Sequence, residues 1–154
     1  MRSNHQQKVD VFMKFAEQDL PSGPLVPDIE IRELRARLIL EEALETIEAL
    51  GFSINHVPNQ PEDGKIAFEN MKLIGDLEPN LVEIADGCAD VKVVTTGTLS
   101  ACGIDDLELQ DLVDDNNLAK FGPGSYRRND GKWMKPPDHR PPDISSLLSK
   151  QSEK

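Results

Sequence analysis

Two segments of more than twenty residues, 28–50 and 80–101, contain no proline and repeat their apolar side chains at helical spacing. In a chain of 154 residues, two helices of that length leave room for little except a helical fold. Shorter helical patterns flank them. One covers His5–Asp19, with Val9, Phe12, Met13 and Ala16 in register, and another covers Asp105–Lys120. Breakers fall between these stretches. Pro21, Gly23, Pro24 and Pro27 precede Asp28, a good N-cap, and Gly51, Gly103 and Gly122 stand where the second, third and fourth helices should stop. Residues 52–79 are mixed, punctuated by Pro58, Pro61, Gly64 and Gly75, with a short helix expected over Lys65–Ile74. Aromatic residues make up only 5% of the chain, so Leu, Ala, Ile and Val must fill the core, which suits packed helices. The reading is an all-α domain over residues 1–121, a bundle of four to five helices. A basic, proline-rich, extended C-terminal segment follows over 122–154.

A formal charge of -11 opposes binding to a nucleic-acid polymer, whose phosphates would repel the protein. Cys88 and Cys102 fall in the third helical segment roughly 20 Å apart along its axis. They are read as reduced, core-facing thiols, which favours a cytoplasmic protein. No signal-peptide pattern is present and the apolar runs are too short to span a bilayer, so no membrane partner is expected.

The charge is organised on the two long segments. With about 100° per residue, Glu45 lies roughly 40° and Glu42 roughly 100° from Glu41, so the three share one sector. Leu40, Ala43, Leu44 and Ile47 lie opposite. On the next long segment Asp86 and Asp90 lie at about 300° and 340° from Glu83, in a stripe with Gly87, Val94, Gly97 and Ala101. Acidic helix faces are commonly solvated surface. If these two converge away from water, however, their mutual repulsion requires cations. Magnesium, which takes hard oxygen ligands and shares them with phosphates, fits such a set.

Glu41-Glu42-x-x-Glu45 followed by Glu83-x-x-Asp86 resembles the Glu-Glu-x-x-Glu…Glu-x-x-Asp signature of the MazG-like all-α nucleoside triphosphate pyrophosphohydrolase superfamily. Ala89-Asp90-Val91, Gly97 and Gly103-Ile104-Asp105 resemble the third helix of its dUTP pyrophosphatases. Asn117-Leu118-x-Lys120, Asp130-Gly131-Lys132-x-x-Lys135-Pro136 and Pro142-Asp143-Ile144 resemble their C-terminal segment. The phage enzyme MazZ is similar too. The resemblance covers about residues 30–145. Aligned on the glycines and Asp105, Asp90 takes the place of the second-motif aspartate, and the glutamate expected three residues earlier is Gly87. Asp86 or Glu83 must then supply that carboxylate.

The resemblance implies a MazG-like bundle and hydrolysis of a nucleoside triphosphate to the monophosphate and pyrophosphate. It implies two or three magnesium ions per site, with manganese able to substitute, held by Glu42, Glu45, Asp86 and Asp90. Glu41 serves as ligand or as the base that steers water, and Glu83 is in reserve. Asn117 and Lys120 would hold phosphates, Lys132 and Lys135 would close over them, and Arg127 lies nearby. Trp133 either stacks on a base or anchors the segment. His5, His56 and His139 have no ligand spacing and are read as surface residues. Small or polar Thr95, Thr96 and Thr98 favour guanine, as dGTP or GTP. The alternatives are a dUTP or dCTP pyrophosphatase, a phosphoribosyl-ATP pyrophosphohydrolase, from which the 51–79 insert and long tail differ, and a non-catalytic cation- or partner-binding module. A homo-oligomer, a tetramer built as a dimer of dimers, completes the expectation.

Overall fold

The computed structural model describes residues 1–56, 71–129 and 131–153. Among them are five helices and two short antiparallel ribbons, so the fold is all-α as expected. The chain divides into two compact units, one of residues 29–95 and one of residues 1–28 with 96–154.

In the 29–95 unit, α2 (Ile29–Ala49) and the first three-quarters of α3 (Leu81–Ala101) are the two long segments. They begin and end close to where helical spacing and capping residues put them. Both close through a left-handed glycine. Gly51 (φ 92°) donates to the Glu48 carbonyl at 2.9 Å while Phe52 donates to Ile47 at 3.2 Å. Gly103 (φ 68°) and Ile104 repeat the pattern on Ser100 and Leu99 at 3.0 and 2.9 Å. A β-carbon is disfavoured at such positions, which is why glycine ends both helices.

Between the helices the reading is corrected. Residues 71–74 of the expected Lys65–Ile74 helix are strand β2 (Met71–Ile74), paired antiparallel with β1 (Ser53–His56) so that Ser53 faces Ile74. Residues 65–70 of that expectation lie outside the described residues. Asp76 locks the base of the ribbon by accepting from the Ser53 N–H and hydroxyl at 3.3 and 3.0 Å. That side-chain bond competes with helix formation.

After the ribbon, the Asn80 N–H donates to the Ala49 carbonyl at 2.9 Å, and α3 runs back along α2. Six residues into α3, Gly87 lies against Thr46. A β-carbon there would fall 2.5 Å from Thr46 Oγ1 and 3.2 Å from its Cα. The Thr46 hydroxyl is already tied to the Glu42 carbonyl at 2.7 Å.

In the other unit, α1 (Asn4–Phe15) is capped by Ser3, whose hydroxyl accepts from Gln6 at 3.0 Å. It ends four residues earlier than expected because Glu17 turns left-handed (φ 56°) and Gln18 donates back to Met13 at 3.0 Å. Val9 and Met13 are buried, as is Ala101 at the end of α3. Two glutamines clamp the corner between α3 and α4 (Asp106–Ala119). Buried Gln6 donates to Ser100 Oγ at 3.1 Å and to the Ile104 carbonyl at 2.7 Å, and accepts from the Asp106 N–H at 2.9 Å. Gln151 accepts from the Asp105 N–H at 2.9 Å and donates to the Asp105 carbonyl at 3.0 Å. Each buried amide is satisfied at both ends, as burial demands.

Gln151 belongs to α5 (Ile144–Ser152), a helix the sequence reading missed. The 122–154 segment is therefore not simply extended. It forms a hairpin of β3 (Tyr126–Arg127) and β4 (Trp133–Met134), then α5, capped by Asp143, which accepts from the Ser146 N–H at 3.0 Å. Four side-chain placements also differ. Cys88 is exposed on α3 rather than core-facing, because the buried stripe is that of Val94, Gly97 and Ala101. Cys102 lies one residue beyond the helix and is half-buried. His5 and His139 are half-buried rather than on the surface.

The helix contact yields a prediction. Gly87→Ala gains about 1 kcal/mol of helix propensity but overpacks Thr46, a cost of about 1–3 kcal/mol. Net loss of stability is expected in urea denaturation. Thr46→Ala in the same chain should recover part of it, because the hydroxyl is the nearest obstacle.

Candidate active site

The Gly87–Thr46 contact turns one face of α2 towards one face of α3, and the predicted carboxylates lie on these faces. Glu42 and Asp90 are half-buried, while Glu41, Glu45 and Asp86 are exposed. The Glu42 carboxyl is held above its ordinary value, first by lost hydration and then by the charges of Asp90, Glu45, Glu41 and Asp86. Three acids on α2 and two on α3 thus form one electrostatic group. Glu83, exposed in the first turn of α3, is not in that set. Sequence reasoning did not single out Thr46. Its signal was a small β-branched residue one turn after Glu42 on α2, matched by a glycine on α3.

Among the described residues, no three acid, histidine or cysteine side chains converge closely enough to hold an ion as they stand. The chemistry of the donor set nevertheless fits magnesium. It consists entirely of hard carboxylate oxygens, and its central member is penalised by uncompensated negative neighbours.

The predicted phosphate contacts all lie in the unit of residues 1–28 and 96–154. Asn117 and Lys120 come together at the end of α4, with Lys120 Nζ donating to Asn117 Oδ1 at 2.5 Å. Arg127 Nε donates to the Gly131 carbonyl at 3.2 Å across the β3–β4 turn, so it braces that turn. The Lys132 carbonyl accepts from the Arg128 N–H at 2.8 Å, and the side chains of Lys132 and Lys135 are exposed. Trp133 packs edge-to-face on Phe121, with centroids 5.3 Å apart and planes at 76°.

Residues 9–117 match the model of one protein family, phosphoribosyl-ATP pyrophosphohydrolase. The chain belongs to the phosphoribosyl-ATP pyrophosphohydrolase family. No curated protein matches the chain. As a member of this family it is a pyrophosphohydrolase, a hydrolase acting on phosphoric anhydrides, consistent with the MazG-like superfamily. The family match includes every candidate carboxylate and Asn117, and it spans residues 51–79. That insert therefore does not set the chain apart from the family, and the reading as a non-catalytic module is set aside. No described helix is long and apolar enough to cross a membrane.

The raised Glu42 carboxyl makes a pH prediction. A group that binds its proton more tightly when folded opposes folding while ionised, and the penalty disappears once pH falls below its ordinary value. Without divalent cations, Glu42→Gln should raise the melting temperature at pH 7 by about 1–3 °C, after allowing for solvent screening. The gain should vanish below about pH 4. Paired thermal melts at the two pH values measure it.

Proposed function

We propose that the protein hydrolyses a nucleoside triphosphate, with guanine as its base, to the nucleoside monophosphate and pyrophosphate, and that it requires magnesium or manganese. The observation that carries this reading is the Glu42-centred group of five carboxylates on two helices that fall within the family match. Glu42, Glu45, Asp86 and Asp90 would hold two or three ions, with Glu83 in reserve. The bound ions would neutralise phosphate charge and polarise the reacting anhydride. Glu41 accepts a proton from the attacking water, whose oxygen bonds to phosphorus as the anhydride bond breaks. The pair of Asn117 and Lys120 offsets the charge of the departing pyrophosphate, and Lys132 and Lys135 close over it.

The guanine assignment rests on the short side chains of Thr95 and Thr98, which are three residues apart on one face of α3. Thr96 is buried on another side. Phosphoribosyl-ATP is the second reading, favoured by the family description. Pyrophosphate release from a panel of common nucleoside triphosphates plus phosphoribosyl-ATP tests both. A guanine triphosphate should give the highest kcat/KM, and preference for phosphoribosyl-ATP would overturn the base assignment. Turnover should require a divalent cation. It should fall at least about 100-fold in Glu45→Ala, since even losses behind a metal's direct ligands reach that size. Unchanged turnover in that variant would remove the mechanism.

A homo-oligomer, a tetramer built as a dimer of dimers, belongs to the same proposal. Leu34, Leu40 and Leu44 of α2 are 37%, 59% and 38% exposed, and Phe12 and Phe15 of α1 are 64% and 84% exposed. Apolar area on that scale favours a partner surface. A tetrameric mass is expected in sedimentation at micromolar concentration, and a monomeric mass would refute it.

A further inference from the structure

Within the 29–95 unit, the two helices that carry the acids touch at one level with no side chain on the α3 side. A β-carbon on Gly87 would fall 3.2 Å from both the Cα and the Cβ of Thr46 and 2.5 Å from its hydroxyl oxygen. That oxygen is held in place, since it donates to the Glu42 carbonyl at 2.7 Å within α2. Rotating the hydroxyl away would break that bond and leave the two carbons where they are. The helices stand closer here than any residue except glycine at position 87 would allow.

The same level carries the acids. Thr46 is one turn after Glu42 on α2, and Gly87 is three residues before Asp90 on α3, so each shares a helix face with a half-buried carboxylate. Glu41, Glu45 and Asp86 are exposed and free to adapt their side chains to an ion. Glu42 and Asp90 have less room, and an ion shared between them meets a span that the backbone spacing dictates. Magnesium takes oxygens at about 2.1 Å and calcium at about 2.3–2.6 Å. Two ligands on opposite sides of calcium therefore stand roughly 0.5–1 Å further apart than on opposite sides of magnesium.

We propose that Gly87 and Thr46 are positioning residues that set the cation preference of the acidic group, holding α2 and α3 at a spacing that suits magnesium and disfavours calcium. The inference rests on the reading of Glu42, Glu45, Asp86 and Asp90 as ligands of divalent cations, and it adds what selects among those cations. A methyl group at position 87 forces the helices apart until its contacts with Thr46 reach ordinary van der Waals distance, a shift of a few tenths of an ångström. That shift is of the same order as the difference in span between the two ions.

Isothermal titration of the full chain with magnesium alone and with calcium alone tests this without nucleotide or turnover. Wild-type protein should bind magnesium more tightly than calcium. Gly87→Ala should weaken magnesium about tenfold and leave calcium within about twofold, the lower end of what residues behind metal ligands contribute. Adding Thr46→Gly to that variant moves the β-carbon from one helix to the other and should recover most of the preference. Thr46→Val exchanges the hydroxyl for a bulkier methyl and releases the Glu42 carbonyl. It should shift the preference in the same direction by a smaller factor, and it gives the same reading with α3 intact should Gly87→Ala fail to fold. Loss of stability alone weakens both ions alike, so the ratio of the two affinities separates positioning from damage. The inference is overturned if wild type prefers calcium, or if the folded variants keep the wild-type ratio. Wild-type protein that binds neither ion would remove the proposed metal site as well, whereas binding with an unchanged ratio removes this inference alone.

Discussion

The candidate site depends on a single close contact, Gly87 against Thr46. Helix pairs ordinarily keep their axes 8–10 Å apart, depending on the side chains between them. With no side chain on Gly87, a β-carbon's worth of space is absent, and Thr46 fills what remains. The contact lies between Glu42 and Glu45 on one helix and Asp86 and Asp90 on the other. Drawing the backbones together at that level therefore draws the acids together too. The close packing of Gly87 on Thr46 holds in place what charge alone would push apart, while the hydrogen bond from Thr46 to the Glu42 carbonyl, within α2, fixes the hydroxyl.

This opposition between packing and charge has a functional meaning. The Glu42 carboxyl, raised first by lost hydration, also feels four others of like charge. A fold selected only for stability would place a lysine or an apolar residue there. A set of acids held together at a cost is what the proposed divalent cations would relieve, and a pyrophosphohydrolase would have a use for them because its substrate carries several negative charges of its own.

Much of this was legible in the sequence. The two long helices followed from uninterrupted helical spacing, their ends from Gly51 and Gly103, and one acidic sector on each helix from angular position, which left open whether the two sectors meet and counted Glu83 with Asp86 and Asp90. What was not legible depended on contacts between distant residues. The ribbon of β1 with β2 needs the Asp76 lock on Ser53, 23 residues away. Helix α5 is short, and its tie to the rest of its unit is Gln151 on Asp105, 46 residues back. His139 looked like a surface residue because nothing local to it reveals the turn that Asn116 pins over the end of α4.

The departure from the MazG-like motif at residue 87 follows from the same contact. A glutamate at that position would begin with a β-carbon 3.2 Å from the Thr46 backbone and 2.5 Å from its hydroxyl. The helices would have to separate to admit it, and the five-carboxylate group would open with them. Glycine keeps the helices together at the expense of one carboxylate from the motif. Asp86, the preceding residue, already stands within the electrostatic reach of Glu42, whereas Glu83, one turn earlier, is not in that set. In the proposed mechanism the shorter aspartate is thus the nearest substitute for the displaced acid, and the glycine that removes one carboxylate of the motif keeps the helices in contact, with the remaining acids within electrostatic reach of Glu42.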